Sequence, residues 1–222
     1  MASQSERPTP ATSTALLALW PGEPTPEMGV ADAVGVRRYL AGPDLLALRK
    51  VVDHSLIAGD SAGASIAYPG REPAQAPTTE LVPKPTKAIL IWPFHLDRFW
   101  APGRKAQHPR RVLLGNHRGL FLTLARIIDK DQEGQVSRWY VDKHIPELLE
   151  TKGFDAAARF RGLGPAAGGY FLHLYFLGED PVVANANLRA RGSRWREEEK
   201  AMGIDSLRHS ILHSFYRPVD PH

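Results

Sequence analysis

One stretch, residues 138–177, constrains the fold of this chain more than any other. Its first part, residues 137–149, has the charged amphipathic pattern of a helix that ends near Gly153. Residues 153–161 then predict a strand, and a run of glycines predicts a turn. Tyr170–Leu177 is rich in aromatic side chains and dense enough in apolar residues to be a buried strand. Helix, strand, turn and strand in this order predict an α+β fold.

A short motif in this stretch carries a family resemblance. Trp139 and Tyr140, followed by His144 and Pro146 on the predicted helix and then by a Gly-Phe pair and two strands, resemble the dimeric α/β-barrel superfamily, in particular its EthD-like branch. The resemblance covers residues 118–219. It implies a ferredoxin-like βαββαβ unit, with two units joining their sheets into one barrel. Cyclases, isomerases, monooxygenases and haem enzymes share this fold, so the resemblance does not define a reaction.

The chain divides into two unequal halves and a tail in this interpretation. We predict a flexible tail over residues 1–13, a degenerate ferredoxin-like half over 14–110 and a complete ferredoxin-like half over 111–222. The fold class is therefore α+β, with two ferredoxin-like repeats, the second complete and the first trimmed, forming an antiparallel barrel sheet. In the second half, the predicted strands are 119–128, 154–161, 170–177 and 207–216, and the predicted helices are 132–151 and 181–202. Gly192 is expected to interrupt the second helix.

The first half is less regular. Thr14–Trp20 and residues 34–40 predict strands, and the prolines and glycine between them oppose a helix of useful length. A helix is predicted over residues 44–58 and a long loop over residues 59–86. Residues 88–94 predict the next strand, which can extend to Trp100.

Composition excludes several classes of function. The chain has no cysteine, which excludes disulfides, thiolate catalysis and cysteine-based metal sites. Its apolar runs are far too short to span a bilayer, and residues 1–13 lack the apolar core of a signal peptide. We therefore expect a cytoplasmic protein with no membrane partner.

The net charge of +4 raises the question of nucleic-acid binding. No acidic residue lies between Asp97 and Asp129, whereas seven arginines and lysines do. This segment also contains Pro102, Gly103 and Pro109, which are typical of a solvated linker, and no recognition helix is evident. We predict a linker and no nucleic-acid partner; attraction of an anionic small substrate stays open.

Two side chains of the motif form the candidate catalytic pair. Tyr140 and His144 are four residues apart, so they lie one above the other on a helix, at the edge of its apolar arc. Histidine titrates near neutral pH and can act as a general base, and tyrosine can donate a hydrogen bond to a developing oxyanion or orient the imidazole. A plain interfacial hydrogen bond between the two is the alternative.

The other candidate residues are assigned to substrate binding or to no ligand at all. His117, Trp139, His173 and Tyr175 are the predicted substrate-binding residues, although His173 in an apolar strand is also typical of the core, and Trp139 of packing. His209 and His213 have a metal-chelating spacing on a helix, but on a strand they lie about 13 Å apart, too far to share one ion. We predict no metal site.

The function that these patterns favour is cofactor-independent proton transfer. The chain is expected to act as a lyase, isomerase or cyclase on a small apolar molecule, aromatic or oxygenated, with His144 as base and Tyr140 as polarising group. A non-catalytic small-molecule-binding or stress-related barrel is one alternative. A haem enzyme with His173 or His209 as axial ligand is the other, and we predict no cofactor. One ferredoxin-like sheet leaves an apolar face in need of a partner, and we expect a homodimer.

Overall fold

A computed structural model describes residues 14–21, 24, 33–51, 62–69, 90–103 and 109–219. The strands are β1 Thr14–Trp20, β2 Ala33–Leu40, β3 Lys50–Val51, β4 Gly63–Pro69, β5 Leu90–Trp100, β6 Gly119–Ile127, β7 Phe154–Gly162, β8 Tyr170–Leu177 and β9 Arg208–Pro218. The helices are α1 Pro43–Leu46, α2 Pro109–Leu113, α3 Glu133–Trp139, α4 Ile145–Leu149, α5 Gly164–Ala167, α6 Pro181–Ala201 and α7 Ile204–Leu207. A 3-10 turn, Lys130–Gln132, precedes α3, and a π turn, Tyr140–His144, joins α3 to α4.

The strands form one antiparallel sheet that closes on itself. Their order is β2-β4-β1-β5-β7-β8-β6-β9, and the first and last of these strands pair through Tyr39 with Pro218 and Leu40 with Arg217. The short β3 pairs with His213 and Leu212 in the middle of β9. In the first repeat, strands β1, β2, β4 and β5 lie side by side in the order second, third, first, fourth. Strands β6 to β9 of the second repeat lie in the same order, which is that of a ferredoxin-like unit. The predicted fold class, two ferredoxin-like repeats in a barrel sheet, is confirmed.

Two seams join the repeats. At one seam, β5 and β7 pair over six residue pairs, while the β2–β9 seam has two. Next to the narrow seam, the Arg217 guanidinium binds Asp44 and Asp180, with N–O distances of 2.8 and 3.0 Å. Both carboxyl groups have pKa values below their usual range. For Asp44 the hydrogen bond from Arg217 is the main cause; for Asp180 desolvation raises the pKa, but the hydrogen bonds from Arg217 and from the Val182 N–H, with the charge of Arg217, together outweigh it. This ion cluster ties α1 and the start of α6 to β9.

The second repeat follows the prediction, with one correction. Its four strands and two helical segments lie where the sequence patterns place them. The expected break at Gly192 is wrong, because α6 runs without interruption from Pro181 to Ala201. The Asp180 carboxylate caps this helix by accepting a hydrogen bond from the Val182 N–H at 2.9 Å, and Pro181 suits its first turn. Twenty-one residues with a good cap tolerate one glycine.

The first repeat corrects two expectations. In the described part of the helix predicted over residues 44–58, α1 ends at Leu46 and is followed by a turn and by β3, so residues 47–51 are not helical. The loop predicted over residues 59–86 contains β4, which pairs with both β1 and β2. Small residues such as Ala64, Ser65 and Ala67 hide the strand from a hydrophobicity pattern, although two neighbouring strands satisfy its backbone. Residues 1–13, 52–61 and 70–89 lie outside the described residues.

The segment predicted to be a linker is also partly structured. Asp97 to Trp100 complete β5, as the possible extension of that strand to Trp100 anticipated. Pro109 begins α2, which buries Val112 and Leu113 against the core. Among the described residues, no helix is both long and apolar enough to cross a membrane.

The sheet of the second repeat is buried on two faces, which we call the helix face and the barrel face. The helix face lies under α3, the π turn, α4 and α6; it carries Phe121, Thr123, Arg159, Phe171, His173, Tyr175, Arg208, His213 and Phe215. The barrel face points into the closed sheet; it carries Leu120, Leu122, Leu124, Ala158, Phe160, Leu172, Leu174, Phe176 and Leu212. The helix face is the polar one of the two.

Candidate functional site

The motif helix changes its geometry where the candidate pair lies. The Ile145 N–H bonds to the carbonyl of Tyr140, five residues back, so residues 140–144 form a π turn. Pro146 follows immediately and has no N–H to continue an α-helical ladder at this point. π turns of this kind are local insertions in a helix and are frequent at functional sites. The turn presents Tyr140 and His144 to the helix face of the sheet.

Tyr140 links the helix to two strands. Its ring stacks on the His173 ring of β8, with 4.5 Å between the ring centroids. Its hydroxyl oxygen accepts a hydrogen bond from the Arg208 guanidinium of β9 at 2.8 Å. Toward His144 the contact is ring to ring, edge to face at 5.3 Å. Tyr140 thus has a cation at its oxygen, and burial raises the pKa of the phenol, which stays protonated.

Arg208 reaches this site because of a β-bulge. The register between β6 and β9 shifts between Leu124 and Ala125, where Leu124 faces Leu212 and Ala125 faces Ser210. Strict alternation from His213 along β9 would put Arg208 on the barrel face; the extra residue turns it to the helix face. There its guanidinium also binds Glu199 of α6 at 2.7 Å. The bulge therefore places the Arg208 cation, paired with Glu199, next to the Tyr140 ring.

His144 is held between aromatic rings. The Trp139 ring stacks on it at 4.4 Å, and the Trp195 ring of α6 meets it at 5.5 Å. Its Nδ1 atom is enclosed and has no hydrogen-bond partner among the described residues. Burial, with the positive charge of Arg208 and the nearby His213, lowers the pKa of His144 to about 3. The imidazole is therefore neutral at physiological pH, and one of its nitrogens makes no hydrogen bond to the described residues.

His173 and His213 extend the neutral imidazole cluster. The Nδ1 atom of His173 lies 3.3 Å from the Thr123 hydroxyl, while its enclosed Nε2 has no partner among the described residues. Burial and the charges of Arg159 and its neighbours hold the pKa of His173 well below its usual value. Burial and Arg208 lower the pKa of His213 to about 4. Three histidines next to two arginines are thus kept uncharged.

The structure brings five of the six predicted site residues together. Tyr140, His144, Trp139, His173 and Tyr175 all lie at the helix face, with Tyr175 stacked between His173 and Phe121.

His117 lies elsewhere. Its ring packs on Phe176, whose side chain belongs to the barrel face, and its Nε2 lies against the carbonyl of Val112. It is therefore a neighbour of the barrel interior and not of the Tyr140 cluster.

Sequence patterns did not identify the charged members of the site. Arg159 on β7 has 1% of its side chain exposed, and its Nη2 donates to the Ser137 hydroxyl at 2.8 Å. Its guanidinium carbon lies 4.2 Å from the centre of the Phe171 ring. An arginine inside an otherwise apolar strand such as residues 156–160 is the available sequence signal, since a buried charge is costly without a partner. Arg208, Glu199 and Thr123 carry no comparable signal.

The residues at the helix face do not fit haem, the bound group that one of the alternatives requires. His173 is enclosed, with one face stacked on Tyr140 and Nδ1 at Thr123, so a porphyrin there would require the π turn to move away. His209, adjacent to Arg208, points to the opposite face. In the part of the chain that the structure describes, no three histidine or acidic side chains are grouped closely enough to hold a metal ion.

Comparisons with known proteins support the fold. No protein-family model and no curated protein sequence matches the chain. Among solved structures, a major regulator of staphylococcal pathogenesis has a TM-score of 0.53 at 6% identity, covering 93% of this chain and 99% of its own. An anthrone oxidase-like protein has a TM-score of 0.51 at 12% identity, with 94% and 92% covered. A candidate monooxygenase from Fusobacterium nucleatum has 0.51 at 7% identity, with 93% and 92% covered. These proteins share the ferredoxin-like barrel architecture; the EthD-like branch stays a prediction from the motif.

Proposed function

We propose that this chain is a cofactor-independent enzyme that removes a proton from a small aromatic molecule and stabilises the resulting anion at the helix face. One arrangement carries the proposal: a guanidinium bonded to the Tyr140 hydroxyl beside an imidazole nitrogen without a partner. His144 is the proton acceptor. Because Arg208 donates to the Tyr140 oxygen, the phenol keeps its own proton for a hydrogen bond to the developing oxyanion.

The low pKa of His144 defines the class of substrate. A base whose conjugate acid has a pKa of about 3 is always neutral near pH 7, but it is weak. The proton that it accepts must therefore be acidic, as in a CH₂ group flanked by a carbonyl-linked aromatic system. Burial is the main cause of this low pKa, and the charge of Arg208 adds to it. An anion formed beside Arg208 offsets that second contribution, so the base strengthens as the reaction proceeds.

The rings around the pair suit a flat aromatic substrate. Phe121 stacks on Phe215 at 4.3 Å and on Tyr175 at 5.5 Å, and Trp139 lies beside His144. Offset and edge-on packing against such rings favours planar molecules over flexible aliphatic ones.

The names of two structural neighbours favour oxygenation as a following step. One is an anthrone oxidase-like protein and the other a candidate monooxygenase. Deprotonated anthrone is an electron-rich carbanion that dioxygen oxidises directly: the CH₂ carbon loses two hydrogens, one oxygen atom becomes the new carbonyl, and the other leaves as water. The protein's part in this sequence is to make and hold the carbanion.

Anthrone in D₂O tests the proposal. Under nitrogen, NMR should show protein-dependent exchange of the CH₂ protons for deuterium; in air, an oxygen electrode should show uptake. His144→Ala should lower the exchange rate by about 10²–10⁴-fold, as for the loss of a positioned base. His95→Ala, which removes an exposed histidine of β5, is the matched control and should leave the rate unchanged.

Three outcomes separate the alternatives. Absence of exchange with the natural sequence rejects proton transfer, and anthrone binding without exchange then favours a non-catalytic binding barrel. An unchanged rate per folded molecule in His144→Ala, with a lower melting temperature, assigns His144 to packing and makes His173 the next candidate base.

A further inference from the structure

Arg159 is a buried cation with little to neutralise it. Its side chain is 1% exposed, and neither Nε nor Nη1 has a hydrogen-bond partner among the described residues. The one bond it makes, from Nη2, goes to the neutral hydroxyl of Ser137 at 2.8 Å. Burying a charge without an opposite charge in hydrogen-bond contact is costly, so such a residue calls for an explanation.

The nearby carboxylates are shared with, or bound to, other arginines. The Oδ2 atom of Asp97 on β5 forms an ion pair with Nη1 of Arg159 at 3.4 Å, and its Oδ1 atom accepts a hydrogen bond from Nε of Arg161 at 3.1 Å, so two arginines share this one carboxylate. Arg161 also binds Glu133, and Arg208 is neutralised by Glu199. Arg159 is thus the least compensated arginine of this group, and burial lowers the pKa of its guanidinium.

The position of Arg159 is that of a ligand-binding group. Its guanidinium carbon lies 5.8 Å from the centre of the Tyr140 ring, and that of Arg208 lies 5.5 Å from the same ring. The two arginines therefore flank the residue that contacts both His144 and His173. Asp97 at Nη1, the Ser137 hydroxyl at Nη2 and the Phe171 ring hold the Arg159 guanidinium in place, and Nε has no hydrogen-bond partner among the described residues.

We propose that Arg159 is an anion-binding residue of this site and that it takes a carboxylate or phenolate oxygen of an aromatic ligand. This inference deepens the proposed function by assigning its substrate a second, acidic oxygen group, apart from the carbon that loses the proton. A guanidinium N–H binds such an oxygen through a charge-assisted hydrogen bond, and the attraction is strongest where water is excluded. Asp97 also gives the first repeat a part in the site, through the β5–β7 seam.

Isothermal titration with 2-naphthoate and its neutral isostere 2-naphthamide tests this inference. The natural sequence should bind the carboxylate at least about tenfold more tightly than the amide. Arg159→Met should reduce that ratio to about one while leaving amide binding unchanged. Arg161→Met is the matched control: it removes an exposed cation from the same strand, next to the same Asp97, and should preserve the ratio.

The melting temperature supplies a second readout. Removing a poorly compensated buried charge should leave it unchanged or raise it, whereas a structural ion pair would lose stability. Arg159→Lys keeps the charge without the planar fork and should keep part of the preference, which preserves the test if the methionine variant does not fold. A ratio near one in the natural protein, a ratio retained in Arg159→Met, or an equal loss in Arg161→Met overturns the inference.

These titrations are independent of the proton-transfer test, because 2-naphthoate has no acidic C–H. If anthrone does not exchange but the protein prefers the carboxylate through Arg159, the proton-transfer proposal fails and the anion-binding role of Arg159 stands. If anthrone exchanges but the protein shows no preference for the carboxylate, the proton-transfer proposal stands and the anion-binding role of Arg159 fails.

Discussion

The two faces of the second repeat's sheet are both covered, but their side chains differ in chemistry. All eight residues of β8 are buried, yet Leu172, Leu174 and Phe176 point into the barrel while Phe171, His173 and Tyr175 point at the helices. The barrel face is aliphatic and aromatic core. The helix face holds three imidazoles and two guanidiniums among aromatic rings. Burial alone would favour apolar side chains on both faces, so the polar groups on one of them indicate a site.

The largest expected effect comes from acid, which protonates the neutral imidazoles of the helix face. The pKa values of about 3 for His144 and about 4 for His213 lie below the ordinary value of 6.5 that the unfolded chain regains. The unfolded state then binds more protons between pH 6.5 and 4, so stability is full above pH 6.5 and falls as pH drops, by up to about 1.4 kcal/mol per pH unit for each histidine. Urea unfolding across this range measures it.

A variant separates this effect from general acid denaturation. His213→Asn should make the dependence on pH shallower, while His95→Asn on the exposed side of β5 should not change it. Equal slopes for the natural protein and His213→Asn would mean that His213 is not held neutral in the folded state.

A cavity on the barrel face should cost stability and spare the site. Leu174 is fully buried between His173 and Tyr175 in sequence, on the other side of the strand. Leu174→Ala should lower the free energy of unfolding by about 2–5 kcal/mol. Leu174→Met conserves volume and should cost less than about 1.5 kcal/mol. In both, anthrone exchange per folded molecule should be unchanged; a parallel loss of exchange would show that the two faces are coupled.

Replacing Arg208, the cation at the Tyr140 hydroxyl, should have the opposite pattern: it should lower the exchange rate more than the stability. Arg208→Met should lower the exchange rate by about 10²–10³-fold, because it removes a preorganised charge from the developing anion. Glu199 then lacks its partner, so the double variant with Glu199→Gln isolates the catalytic loss from the unpaired carboxylate. Arg194→Met, in an exposed pair with Glu198, should have no effect on the rate. An unchanged exchange rate in the double variant would show that Arg208 does not stabilise the anion formed by proton transfer.

The smallest effect is expected at the Tyr140 hydroxyl. Tyr140→Phe keeps the ring stacked on His173 and removes one hydrogen bond, so the exchange rate should fall about tenfold. The rate of the natural protein should show no inflection near pH 6.5, because His144 is already neutral there. A clear inflection near pH 6.5 in the pH–rate profile would indicate a base with an ordinary pKa elsewhere.

The sequence predicted the second repeat well and the site only in part, for physical reasons that differ by residue. The aromatic strand β8 and the motif helix have strong periodic patterns, and these located Tyr140, His144, His173 and Tyr175. Strand β4 was missed because its small residues carry no hydrophobic signal. Arg208 was missed because a bulge, which is a property of strand pairing and not of one segment, turns it to the helix face.

The unequal seams have a consequence for stoichiometry. Two identical subunits closing a barrel would be bound by a two-fold axis, which would make both seams alike and duplicate every site. Here a single chain supplies both repeats, with six residue pairs between β5 and β7 and only two between β2 and β9. Because one chain contains both repeats, they need not be identical. Among the described residues, the second repeat alone carries the guanidinium–imidazole cluster, and the first repeat contributes Asp97 to it. A titration should therefore saturate at one ligand per chain, whatever the number of chains in the assembly.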